Sequence, residues 1–82
     1  MRLVVEISLY PLKETYIGPI KDFIERINTY DRITAQTGST STVVSGEMNE
    51  LMQILNKEMQ ATYAQVGQAI FVCKFLNGDL ME

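Results

Sequence analysis

The stretch "ITAQTGSTSTVVS", Ile33 to Ser45, decides the fold. Ile33 to Thr37 reads as a short strand, and Ser41 to Ser45 reads as another. Between them Gly38 to Thr40, "GST", supplies a turn, because glycine adopts positive φ at no steric cost. The two runs therefore form a hairpin. What lies on either side of it sets the architecture.

Upstream, Leu3 to Tyr10 alternates with period two. Leu3, Val5, Ile7 and Leu9 point one way, and Val4, Glu6, Ser8 and Tyr10 the other. Pro11 lacks an amide hydrogen and is expected to close this strand. Ile17 to about Asn28 reads as a helix, with Ile20, Phe23, Ile24 and Ile27 as one apolar stripe. Lys21, Asp22, Glu25 and Arg26 fall off that stripe, and Gly18-Pro19 suits the first turn. Downstream, Glu47 to about Val66 reads as a long helix. Met48, Leu51, Met52, Leu55, Met59, Tyr63 and Val66 mark its expected buried face, and Ile54 lies beside that face, placed to widen it toward a partner. Glu47 and Glu50 sit at the positive N-terminal end, and Gly67 suits the C-terminal cap. Ala69 to Leu76, "AIFVCKFL", is the last strand, followed by a polar exit, "NGDLME".

The order is β-α-β-β-α-β over one domain, residues 1–82. This is an α+β, ferredoxin-like arrangement: a four-stranded antiparallel sheet with two helices on one face. The expected strand order is 4-1-3-2. One sheet face then stays uncovered by the chain's own helices. It should carry Val4, Glu6, Ser8 and Tyr10 from the first strand and Ile70, Val72, Lys74 and Leu76 from the last. Ala69, Phe71, Cys73 and Phe75 should face the helices. The open mixture is too apolar for water alone, so sheet-to-sheet or edge-to-edge homo-oligomerisation is expected.

Composition narrows the function. The chain has 82 residues, 46% hydrophobic and 21% charged, with a formal net charge of -3. Its Lys and Arg residues are scattered, so no basic stripe tracks a phosphate backbone, and nucleic acid is not an expected partner. The single cysteine, Cys73, reads as a small buried hydrophobe and points to a reducing, cytoplasmic setting. The N-terminal segment does not read as a signal peptide, and no run approaches the roughly 20 apolar residues of a membrane helix.

Catalytic parts are scarce. Histidine is absent, which removes the commonest general base and metal ligand. One cysteine without a His or a second Cys gives no zinc site and no Cys-His nucleophile. No phosphate-binding glycine pattern occurs. Most carboxylates read as solvated charges on helix faces and ends. Glu6 is the exception, being in mid-strand, but no second carboxylate is paired with it locally. A non-catalytic protein with no metal and no cofactor is expected.

Two features remain. "TGSTSTVVSGE", Thr37 to Glu47, concentrates hydroxyls at the mouth of the hairpin. They serve either as a turn that solvates itself or as donors and acceptors for a small heterocycle. Glu6 either pairs with Lys74 or Arg2 across the sheet or accepts a hydrogen bond from a ligand amine. Tyr10 or Tyr16 could stack on a ring or a cation. Tyr63 and the methionines of the second helix read as core. Which face Thr42 occupies stays open, because a one-residue register change flips it.

"E-x-S-x-Y-P" at Glu6 to Pro11 and "T-x-x-x-S-T-x-V-x-G" at Thr37 to Gly46, each followed by a helix, resemble the YkoF-like thiamine/hydroxymethylpyrimidine-binding domains and their single-domain thiamine-binding branch. The resemblance runs from Val4 to Phe75. It implies a ferredoxin-like fold and non-catalytic binding of thiamine or its hydroxymethylpyrimidine moiety, in uptake or salvage. It implies ligand contacts from Glu6, Ser8, Tyr10, Thr37, Ser41 and Thr42, and pairing of single domains as a homodimer or homotetramer. Gly38 to Thr40 stands where tandem members carry an acidic pair, so charge recognition there is not implied. The alternative is a structural or regulatory homo-oligomerisation module without a small ligand.

Overall fold

β1 (Arg2–Pro11) is the strand around which the sheet is built. In the computed structural model, which describes residues 1–78, it is followed by α1 (Ile17–Ile27), β2 (Thr34–Thr37), β3 (Thr42–Glu47), α2 (Met48–Val66) and β4 (Ala69–Asn77). The sheet order is β2-β3-β1-β4, all neighbours antiparallel, as the sequence led us to expect. The polar exit lies, beyond Gly78, outside the described residues.

β1 runs one residue further than expected, through Pro11, which pairs with Ala69. The ladder explains why proline is tolerated. Leu12 N–H donates to Gln68 C=O at 3.2 Å, and Gly78 N–H donates to Arg2 C=O at 3.0 Å. Even-numbered residues of β1 therefore bond to β4, and odd-numbered ones point toward β3. The β1–β3 register ends at Ile7 opposite Thr42. At Pro11 the missing donor would point where no described strand lies.

Leu3, Val5 and Ile7 meet Val44, Phe23, Ile27, Ile33, Leu51, Ile54 and Leu55 to form the core between sheet and helices. Leu9, Ala35, Phe71 and Cys73 pack at its margin. Gly46 of β3 lies against the side chain of Ile33, which immediately precedes β2. A Cβ there would lie 2.8 Å from Ile33 Cγ2. Gly46→Ala should therefore overpack this corner and cost about 1–2 kcal/mol, read as a lower urea midpoint. An unchanged midpoint would show that Ile33 is free to move aside.

The buried face of α2 differs from the expected one. Leu51, Ile54, Leu55, Glu58 and Thr62 are buried, whereas Met48, Met52 and Tyr63 are exposed. Ile54 belongs to this chain's own core and does not reach outward. The helix is turned so that α1 packs against it, and two polar residues lie under that contact. Glu58 is not a solvated charge. Glu47 precedes the helix as its N-cap, accepting from Glu50 N–H at 3.1 Å, and Gly67 ends it with φ of +79°.

Candidate functional site

The hairpin loop and α1 enclose a recess at one end of the sheet. Phe23 and Ile27 are fully buried, while Ile20 and Ile24 are only half-buried. The C-terminal part of α1 is thus seated on the sheet, and its first turns stand off beside the loop. Gly38 N–H donates to Ser41 C=O at 2.9 Å, which closes the loop on itself. Ser8 Oγ donates to Thr40 C=O at 3.4 Å and ties it to β1.

The space so formed has about 120 Å³, floored by Ile20, Phe23 and Ile24 and rimmed by the hydroxyl residues 39–42 with Thr37 and Ser8. An engineered cavity of about 150 Å³ takes benzene, so this volume suits a single ring. A shallower depression of about 490 Å³ adjoins it, walled by Tyr10, Tyr16 and Pro11 and sharing Leu9, Ile20, Ser39 and Thr40. The two make one trough, and every lining residue is uncharged.

The structure places the sequence candidates unequally. Thr37 and Thr42 face the helices, and their Oγ1 atoms lie 3.2 Å apart. Thr42 is only 5% exposed, which settles its face. Ser8 and Ser41 join them around the inner recess, and Tyr10 lies in the outer one. Glu6 lines neither part. It sits on the open sheet face opposite Lys74, whose Nζ is 3.5 Å from its carboxylate. The cross-strand pair, one of the two readings open for Glu6, is the arrangement found. Ser39, Thr40 and the apolar floor were not among the candidates. The same hydroxyl run pointed to the first two, whereas Ile20, Phe23 and Ile24 read only as a core stripe. Among the described residues, nothing hydrogen-bonds the side-chain hydroxyls of Ser39, Thr40 or Ser41.

On the far side of α1 lies a polar cluster that hydrophobic periodicity does not mark. Arg26 Nε donates to Glu58 Oε1 at 2.6 Å, and a second guanidinium nitrogen donates to Thr62 Oγ1 at 2.8 Å. Tyr30 OH donates to the other Glu58 oxygen at 2.5 Å. Burial alone would push the Glu58 carboxyl up; the hydrogen bonds from Tyr30 and Arg26, with the Arg26 charge, outweigh it and hold the group below its ordinary value. Tyr30 is pushed up, first by its hydrogen bond to Glu58 and then by burial. The carboxylate is fully engaged, so the cluster is a clasp between α1 and α2. Among the described residues no three of His, Cys, Asp or Glu are grouped to hold a metal, and no helix is long and apolar enough to cross a membrane.

Comparison with known proteins fits this arrangement. No curated protein matches the chain. A solved protein from Streptococcus pneumoniae superposes with a TM-score of 0.88 at 23% identity, covering 98% of this chain and 90% of its own. One from Methanocaldococcus jannascii gives 0.80 at 23% identity, with 99% and 84% covered. A Thermotoga maritima protein, described as a candidate thiamine biosynthesis/salvage protein, gives 0.82 at 19% identity, with 92% and 82% covered. These likenesses establish a shared fold. The sequence profile of the YKOF-related family matches residues 3–77, nearly the whole chain, and the chain belongs to that family.

Proposed function

We propose that this protein binds thiamine or its hydroxymethylpyrimidine moiety in the hairpin trough, without catalysis, as a cytoplasmic homodimer or homotetramer serving uptake or salvage. The observation that carries the reading is the ring-sized recess, with an apolar floor of Ile20, Phe23 and Ile24 and a rim where, among the described residues, the side-chain hydroxyls of Ser39, Thr40 and Ser41 have no protein partner. Each such hydroxyl can both donate and accept, which matches an aminopyrimidine's amine and ring nitrogens. A thiazolium cation would meet the faces of Tyr10 and Tyr16. The description of the Thermotoga maritima relative points to the same ligand class.

The uncharged lining makes a selective prediction. Thiamine and hydroxymethylpyrimidine should release heat on titration, and thiamine pyrophosphate should bind more weakly, since no lining cation meets its phosphates. Thr37→Val keeps the shape and removes one hydroxyl. Combined with Ser41→Ala it should raise Kd about tenfold, equivalent to about 1.4 kcal/mol. Absence of both heat and thermal shift at millimolar thiamine would sink the proposal.

A second reading is favoured by the open sheet face. There Glu6 is paired with Lys74, and Tyr10, Ile70, Val72 and Leu76 are exposed. An oligomerisation module without a small ligand would use that surface and leave the trough empty. The same titration separates the two readings.

A further inference from the structure

α1 carries different contacts on its two sides. Ile20 and Ile24 line the recess, whose rim includes Thr40 and Ser41. Asp22 and Arg26 meet α2 instead. Gln65 Nε2 donates to Asp22 Oδ2 at 2.6 Å, and Arg26 donates to the Glu58 carboxylate, to Glu58 C=O and to Thr62 Oγ1. At 3.6 residues per turn, the pair 20 and 24 lies about 160° around the helix from the pair 22 and 26. The polar ties thus run along one edge of α1, and the recess lies along the other. Among the described residues no hydrogen bond joins α1 to the hairpin.

Phe23 and Ile27 seat the helix on the sheet. Its sideways position at the first turns has less to hold it. Tyr16 at the N-cap makes no side-chain hydrogen bond to the helix, and the first turn has no carboxylate to meet the helix dipole. Ile20 and Ile24 are only half-buried and gain by being covered. A helix free to shift sideways would lay them on Thr40 and Ser41 and close the space. We propose that the ties from Asp22 and Arg26 prevent this. They draw α1 toward α2 and hold the recess open, so both are positioning residues for a ring bound on the opposite side of the helix.

A guanidinium suits this task. It is planar and donates in fixed directions. Its acceptors belong to Glu58 and Thr62, one turn apart on α2, so it sets both the distance and the rotation of α1. Methionine at position 26 would fill much of the same space but hold no direction, because its side chain is flexible. Stability and ligand affinity therefore come apart. Arg26→Met with Glu58→Gln keeps the two helices packed yet leaves α1 free to shift. The inference rests on the proposed function for its ligand alone; the openness of the recess is a property of the free protein.

Methyl NMR on the free chain and titration with thiamine test it together. In Arg26→Met with Glu58→Gln, the Ile20 and Ile24 methyls should gain nuclear Overhauser contacts with Thr40 and Ser41. The thiamine Kd should rise about three- to tenfold, as the open arrangement falls to between about a third and a tenth of the population. Gln65→Ala, an exposed change that frees Asp22, should move both readouts the same way by less. Gly46→Ala destabilises the end of β3 away from the recess, where its Cβ meets Ile33 and Arg32 C=O, and should move neither. Unchanged methyl contacts in the double variant and in Gln65→Ala, or an equal gain in Gly46→Ala, would overturn the inference with or without a ligand. Gained contacts with an unaltered thiamine Kd would overturn the positioning role. A wild type that binds neither thiamine nor hydroxymethylpyrimidine would overturn the proposed function, and the methyl contacts would then decide alone whether the ties hold the recess open.

Discussion

Phe23→Ala will cost about 3–5 kcal/mol of stability, the largest effect expected of any substitution considered for this protein. Phe23 is 2% exposed and lies where α1 meets the sheet. Its ring centroid is 5.2 Å from that of Phe71 on β4, and Phe71 lies edge-on to Tyr63 of α2 at 5.5 Å. Three rings thus link both helices through the sheet. Alanine removes the transfer free energy of one ring, opens a cavity and dissolves one aromatic pair. A domain of this size holds about 4–12 kcal/mol in total, so the variant should be partly unfolded at ambient temperature. Urea denaturation followed by circular dichroism checks this. A loss below about 1 kcal/mol would mean that α1 is anchored elsewhere. Phe23→Leu fills most of the space and should cost only about 1–2 kcal/mol. It leaves a folded protein in which thiamine binding can be measured without the ring beneath the recess.

Glu58→Gln should cost about 2–3 kcal/mol, a fall of roughly 10–20 °C in Tm. The substitution is nearly isosteric, so the loss comes from charge. Arg26 would remain under the α1–α2 contact facing an amide, and Tyr30 would lose a charged acceptor. A buried pair is far more sensitive to losing one partner than to losing both. Glu58→Gln combined with Arg26→Met should therefore recover part of the loss. If the single variant proves as mild as a surface change, the clasp is not holding the helices.

The same cluster sets a pH dependence at each end. Glu58 has a folded-state pKa below its unfolded value. Its contribution is present above the unfolded pKa, near 4.3, and disappears as the pH falls through the lower folded value. Glu47 is held down too, by the Asn49 and Glu50 backbone N–H groups, so acid weakens both. The difference between the wild type and Glu58→Gln isolates the Glu58 part, and it should shrink as the pH drops below about 4. Tyr30 runs the other way. Its folded pKa is raised, so its contribution is intact below about 10 and is lost as the pH rises through the higher folded value.

The element order was legible because each element carries its own local signal. Leu3 to Tyr10 shows period two, Ile20 to Ile27 shows a helical stripe, and Gly38 and Gly67 mark turns. The strand order followed from that element order. The phase of α2 was not legible. Apolar residues at 48, 51, 52, 54, 55, 59, 63 and 66 cover so wide an arc that two faces compete. The face that wins contains Glu58 and Thr62, which hydrophobic periodicity cannot nominate. Their burial is tolerated only because Arg26, Tyr30 and α1 arrive from elsewhere in the chain.

The site divides along the same line. The sequence alone determined that hydroxyls cluster at the hairpin and that Glu6, Ser8 and Tyr10 share one face of β1, since both are matters of composition and alternation. Only the tertiary structure decided which of them meet. The β2–β3 register turns Thr37 and Thr42 toward the helices, and the folded-back loop brings Ser8 to the same recess. Lys74, supplied by the far end of the chain, takes Glu6 on the other face. Alternation fixes which residues of one strand lie together. What stands opposite each of them is fixed by pairing between distant segments, and it exists only once the sheet is assembled.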